Sequence, residues 1–273
     1  MYSFFVTNKR GETLELTHNN NYSIIEIDGL APGEATINTS HDLGADGDVF
    51  NSSYQNSRPI TVTMAINYPA ETNRLNLYRY FRPKASCSLR FKNDNRDVTI
   101  EAYVQRFNVN FFEKKQVAQI VMTCPNPYFV GEKITTIIDE VKELFEFPFE
   151  APLELSELGV TSKDIYYQGD ADTGAIFTIH ATGEVSNPMI VNDTTGEAFG
   201  IEETLENGDL VVINTNDKER SVMVIKDGVE TNGANKITEG SSWLRLEPGA
   251  NIFSYTSGSY FVEIEYSEKF EGV

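Results

Sequence analysis

Between Arg58 and Asn67 the apolar residues Ile60, Val62, Met64 and Ile66 alternate with Thr61, Thr63 and Ala65. A period of two admits a strand with one buried face and excludes a helix, whose faces recur every ~3.6 residues. This is the clearest strand signal in the chain, and weaker versions of it recur from end to end. A convincing helical pattern occurs once, over Pro69–Arg82. Pro69 and Glu71 suit a helix N-terminus, Pro83 stops it, and Leu77 and Phe81 fall four apart on one side. The chain is therefore read as mainly β.

A boundary follows at Met122-Thr-Cys-Pro-Asn-Pro-Tyr-Phe-Val-Gly131. There an apolar strand runs into Pro125 and Pro127, which give no amide to a ladder and fix their own φ. The expected division is a first domain over 1–131, a connector over 132–165 and a second domain over 166–273, with the two prolines as interdomain hinge. The 273 residues are enough for two cores, and 17 Phe with 13 Tyr supply their mass. Charge divides at the same place. Residues 1–131 hold 13 basic and 13 acidic side chains and residues 132–273 hold 9 and 28, so the net charge of −19 belongs wholly to the second part. An acidic domain repels phosphate backbones, which argues against nucleic-acid binding. No apolar run approaches the ~18 residues of a bilayer span, and the start lacks the pattern of a secretory signal. The expectation is a soluble protein made in a cytoplasm, without membrane insertion.

In the first part, residues 2–7 and 12–18 flank a turn at Gly11, and Tyr22–Gly29 is a third strand. From Asn38 to Ser57 the sequence loses its period and fills with Ser, Asn, Asp and Gly, which reads as a long structureless arm or lid. Within Asp97–Phe112, Val98, Ile100, Ala102 and Val104 share one parity, whereas Phe107, Val109 and Phe111 take the other. Such a phase slip predicts a β-bulge near Gln105 and Arg106. After the turn, Ala118, Ile120, Met122 and Cys124 return on one face. In the connector, Ile134–Phe145 has a helical cast and Phe145–Pro152 an extended one. Beyond it, short strands are expected over 174–182, 188–191, 209–214, 221–225, 242–246, 251–255 and 260–266, a spacing that suits an antiparallel sandwich or jelly roll.

Candidate chemistry is sparse. His18, His41 and His180 adjoin no nucleophile motif and no second histidine at metal spacing. Asp46 and Asp48 suggest a calcium loop whose other ligands are missing. Asp170 with Asp172 and Glu202 with Glu203 are the kind of carboxylate pair that 41 acidic residues produce by chance. Cys87 and Cys124 read as reduced, half-buried thiols. Trp243, Tyr255 and Tyr260 suit either a sugar-stacking platform or, more ordinarily for a sandwich, core plugs. Arg74, Arg79 and Arg82 interleave with Tyr78 and Tyr80 on the helix, either as a solvated face or as a docking face.

The order and spacing of these pieces resemble the distal tail proteins (Dit) of long-tailed, non-contractile phages, the siphovirus-type tail component family. The likeness rests on Gly44-Ala-Asp-Gly47 in a long arm, Arg58-Pro-Ile-Thr-Val-Thr63 followed by a single helix, and Cys124-Pro-Asn-Pro-Tyr-Phe129. Further on it rests on Gly183-Glu-Val-Ser-Asn-Pro-Met-Ile-Val-Asn-Asp-Thr-Thr-Gly196, on Leu205-Glu-Asn-Gly-Asp209 with Val212-Ile-Asn214, and on Leu246-Glu-Pro-Gly-Ala-Asn251.

The resemblance implies an N-terminal tail-tube-like β-sandwich or barrel with one helix, and a C-terminal galectin-like (jelly-roll) β-sandwich. It implies a structural virion protein rather than an enzyme, without cofactor or metal. The expected form is a homo-hexameric ring in the baseplate, joining the tail tube protein to the tail-tip protein and supporting receptor-binding or side-fibre proteins. The ring would be assembled in the host bacterial cytoplasm. On this sequence the interface to neighbours and tube would use Asp46, Phe50, Arg74, Tyr78 and Arg82. The alternative is a free-standing carbohydrate-binding or adhesion protein of two β-sandwich domains.

Overall fold

The computed structural model describes residues 2–42, 44, 46–139, 162–256 and 258–273. The chain divides into two compact units, Met1–Glu132 with Lys269–Val273, and Lys133–Glu268.

The first unit contains β1 (Ser3–Asn8), β2 (Thr13–Glu15), β3 (Tyr22–Asp28), β4 (Ala35–His41), β5 (Asp48–Gln55), β6 (Arg58–Ile66), α1 (Ala70–Tyr80), β7 (Ser86–Lys92), β8 (Asp97–Val109), β9 (Gln116–Cys124) and the start of β10 (Phe129–Ile138). Its strands pair antiparallel in the order β3-β6-β9-β8-β7-β1-β2. The alternation in β6 is real, since Ile60, Val62, Met64 and Ile66 are all buried. They join Leu77 from α1, Phe81 at its C-cap, Phe4, Phe91, Ile100 and Ile120 in one core. Phe4 stacks on Phe91 with centroids 4.5 Å apart, and Phe129 meets Phe91 edge-on at 5.8 Å. The register of β8 against β9 shifts between Val104 and Arg106, as the parity change in the sequence predicts.

Two segments differ from expectation. Asn38–Ser57 is not structureless: β4 and β5 form an antiparallel hairpin that pairs Ala35 with Gln55 and His41 with Asp48. Ile134–Ile138 is strand rather than helix, the end of β10. The rest of the expected helix and the extended Phe145–Pro152 lie outside the described residues.

Pro125 and Pro127 interrupt pairing along β8 rather than ending it. β9 runs beside Tyr103–Val109, and after the prolines β10 rejoins the same strand with Val130 opposite Thr99. The chain passes from the first unit to the second within β10, and returns within β21 at Lys269. The last five residues, which the sequence reading gave to the second domain, thus count with the first unit.

The second unit contains the end of β10, then β11 (Ser162–Tyr167), β12 (Ile176–Ala181), β13 (Val185–Ser186), β14 (Met189–Asn192), β15 (Glu197–Gly200), β16 (Thr204–Leu205), β17 (Leu210–Asn214), β18 (Ser221–Lys226), β19 (Val229–Asn232), β20 (Gly249–Tyr255) and most of β21 (Tyr260–Phe270). One sheet runs β19-β18-β17-β12-β21 and another β11-β20-β14-β15. Phe177, Ile179, Val211, Val224 and Ile264 of the first sheet share a core with Ile165, Ile190, Phe199 and Phe253 of the second. This is the antiparallel sandwich that the short, evenly spaced strands imply. The expected strand 242–246 does not form; only Leu246 bridges, to Thr173. Among the described residues no helix is long and apolar enough to cross a membrane.

Candidate functional site

The β4–β5 hairpin is an arm that contributes nothing to the core of its own unit. Among the described residues its strands pair only with each other, and nearly every position is exposed. A two-stranded hairpin without a packed face is marginal in water. This one nevertheless exposes Ile37 (65%), Val49 (51%), Phe50 (62%) and Tyr54 (57%). The register sets Ile37 opposite Ser53 and Phe50 opposite Thr39, while Val49 opposes Ser40 and Tyr54 opposes Thr36. Pairs directly opposite share a face, so the apolar groups fall on both sides of the ribbon. Asp46 is exposed in the turn between the strands, and His41 Nδ1 lies 3.2 Å from Asp48 Oδ1 near the tip.

The helix is partly absorbed by its own unit. Arg74 lies over the Phe111 ring at 4.8 Å and donates through Nη1 to Gln116 Oε1 at 3.4 Å. Tyr78 meets Phe107 edge-on at 5.0 Å. Arg82 stays exposed beside Arg79, at the rim of a groove between the β1–β2 turn and α1. Of Arg74, Tyr78 and Arg82, the last, just beyond α1, is the one without an ion pair or ring contact among the described residues.

Around the prolines the decisive residue is one that the sequence reading passed over. Arg58, 2% exposed at the head of β6, donates to four backbone carbonyls. Nε reaches Pro127 O at 2.6 Å, Nη1 reaches Gly29 O at 2.8 Å and Ala31 O at 2.5 Å, and Nη2 reaches Glu271 O at 2.6 Å. Its guanidinium also lies 4.8 Å from the Phe129 ring centroid. Burial pulls its pKa below the usual arginine value, while Cys124 and Glu271 oppose the fall. Gly29 turns with φ +90°, and a Cβ there would sit 2.2 Å from Pro59 O, so only glycine lets the loop approach the guanidinium this way. Nearby, Arg96 donates to Gly272 O and lies over Phe270, and Lys269 lies over Tyr128. The C-terminal residues are thereby stitched to the proline segment.

The catalytic candidates do not converge. His180 is 3.2 Å from Glu263 and stacks on Phe261. Glu203 is held by Lys226 and Lys236, whose hydrogen bonds keep its carboxyl below the usual range. No cluster of three metal-ligating side chains occurs among the described residues. Tyr255 and Tyr260 are buried against each other at 4.7 Å, and Trp243 packs on Phe199 at 5.1 Å with Arg220 over its ring. None of the three is a free stacking platform.

Cys87 and Cys124 are free, fully buried thiols, and burial pushes both pKa values up to about 12. Their thiolate population at pH 8 is therefore smaller than that of an ordinary cysteine by roughly a thousandfold. Alkylation of the native protein by iodoacetamide at pH 8 is expected to stall until denaturant is added. Modification of either residue at the rate of free cysteine, read by mass spectrometry, would contradict this burial.

Residues 168–270 match the family model described as siphovirus-type tail component, C-terminal domain. Over these residues the family resemblance read from the sequence holds. The tail component match covers most of the second unit, and structural likeness extends over both. The crystal structure of the SPP1 Dit protein, described as a paradigm of the hub adsorption apparatus in phages infecting Gram-positive hosts, gives a TM-score of 0.69 at 14% identity. That match covers 98% of this chain and 99% of the other. The phage P2 baseplate in its activated conformation with Ca gives 0.52 at 11% identity, covering 97% and 98%. The corresponding structure with Sr gives 0.50 at 10%, with the same coverage. No curated protein matches the chain in sequence. At these identities the structural matches speak for a shared fold, and the tail component model adds a match in sequence.

Proposed function

We propose that the chain is the distal tail hub of a phage baseplate, a structural virion protein rather than an enzyme. The observation that carries this reading is the end-to-end likeness to SPP1 Dit, 98% of one chain on 99% of the other, joined to the tail component match over residues 168–270. In this reading the first unit forms a homo-hexameric ring that continues the tail tube and meets the tail-tip protein. The second unit supports receptor-binding or side-fibre proteins. The ring is assembled in the host bacterial cytoplasm and ends up in the virion.

The arm gives this reading a physical basis. Its apolar residues lie on both faces of a ribbon whose strands, among the described residues, pair only with each other, the arrangement expected of a segment inserted between neighbouring subunits. In this reading Asp46, Phe50 and Arg82, all exposed, meet the neighbouring copy. Arg74 and Tyr78 would act mainly by holding α1 in position. Pro125 and Pro127 stiffen the approach to the joint between the units, with the Pro127 carbonyl fixed by Arg58.

Light scattering behind size-exclusion chromatography tests the reading. Six copies of 30.6 kDa make an assembly of about 184 kDa, and negative-stain images should show six-fold rings. A strict monomer at high concentration, with no ring in assembled particles, would count against it.

A further inference from the structure

The groove between the β1–β2 turn and α1 encloses about 340 Å3, within the range of sites that hold a small ligand. Lys9, Arg10, Arg79 and Arg82 line it with one carboxylate, Glu12, among them. Arg79 Nη2 already pairs with Glu12 at 3.3 Å. Lys9, Arg10 and Arg82 are exposed and have no ion-pair partner among the described residues. The face is locally cationic, yet the first 131 residues are neutral, with 13 charges of each sign. The carboxylates that balance it therefore lie elsewhere in these residues.

Four of them fall on the arm and its base. Residues 34–56 carry Glu34, Asp42, Asp46 and Asp48 and no lysine or arginine, and three of the four acids sit at the tip. Asp48 is engaged by His41, whereas Asp42 and Asp46 are exposed without an ion-pair partner among the described residues. The seven residues of β4 at ~3.3 Å each carry the tip about 20 Å beyond the base. Among the described residues β4 and β5 pair only with each other and are exposed along nearly their whole length, so the tip is open to a partner.

We infer that the acidic arm tip of one copy docks in the basic groove of a second copy of this chain. The inference rests on the ring reading above and deepens it. Each copy carries both halves of the contact, so the contact is heterologous, head to tail, the kind that closes into a ring when the rotation permits. The complementary charges set partner and register, and salt weakens them.

A charge exchange in the full chain tests this. Arg10→Glu with Arg82→Glu reverses the groove, and Asp42→Lys with Asp46→Lys reverses the tip. All four sites are exposed, so each variant should keep the wild-type circular dichroism and melting temperature. Each variant alone is expected to need about tenfold more protein, or greater, for half-assembly by light scattering. An equimolar mixture is expected to recover ring formation, because each copy then offers what the other lacks and a ring of six accepts alternation. Variants that assemble as well as wild type, or that fail together as completely as apart, overturn the docking inference. A wild-type chain that stays monomeric sinks the ring reading instead.

Discussion

Replacing Arg58 by alanine is expected to destabilise the first unit by roughly 3–5 kcal/mol, the range for removing one partner from a buried, charge-assisted contact. The side chain spans four carbonyls from three stretches of chain: the loop after β3, the proline segment between β9 and β10, and Glu271 just after β21. Truncation leaves all four without their donor in a place water reaches poorly. Arg58→Lys should recover less than half of the loss. A lysine has three donors on one nitrogen, whereas these acceptors match the planar fork of a guanidinium. Denaturant unfolding followed at several wavelengths would separate the two units' transitions, and only that of the first unit should move. A lysine variant as stable as wild type would show that the four bonds contribute little.

This residue marks the limit of what local pattern reveals. The strand over Arg58–Ile66 was legible because its buried and exposed sides alternate, and the bulge near Gln105 and Arg106 because the parity of apolar residues changes there. Arg58 heads that strand without any local sign that it is buried; the carbonyls it serves are 27 to 213 residues away in sequence. The return of Lys269–Val273 to the first unit is silent for the same reason. The arm reads as structureless in sequence, though it is a hairpin, for the opposite cause. With both faces exposed, β4 and β5 need no period of two, so Ser, Asn and Asp fill positions where a core-facing strand would hold valine or isoleucine. Ser242–Leu246 misled in the other direction, since its apolar residues plug the core from a segment that pairs only at Leu246. Of the proposed interface, Phe50 and Asp46 are suggested in the sequence by the arm's length and the family likeness. The basic groove escaped because Lys9 and Arg10 meet Arg79 and Arg82 only after β1 and α1 pack together.

Shortening the arm is expected to abolish assembly while leaving the fold intact. Thr36 and Tyr54 are directly paired across the hairpin, so Ile37–Ser53 can be replaced by Asn-Gly, which closes two antiparallel strands in a tight type I′ turn. The bond from Asn56 Nδ2 to Thr36 Oγ1 is kept, as is that from Gln55 Nε2 to Glu271 Oε1. No buried core residue is removed, so stability should change by no more than about 0.5 kcal/mol, as for surface substitutions away from special features. Ring formation needs what was removed: Ile37, Val49 and Phe50 as apolar contact and the acidic tip as guide. The shortened chain should therefore elute as a folded monomer of about one sixth the ring mass under conditions where wild type is fully assembled. Point variants divide the contributions. Phe50→Asp should weaken assembly at every salt concentration, because it removes apolar contact from the interface, whereas the tip reversals should lose most of their effect as salt screens the charges. If the shortened chain still forms rings, the contact between copies lies on another surface, and the exposed apolar residues of the arm must serve the tube or the tail-tip protein.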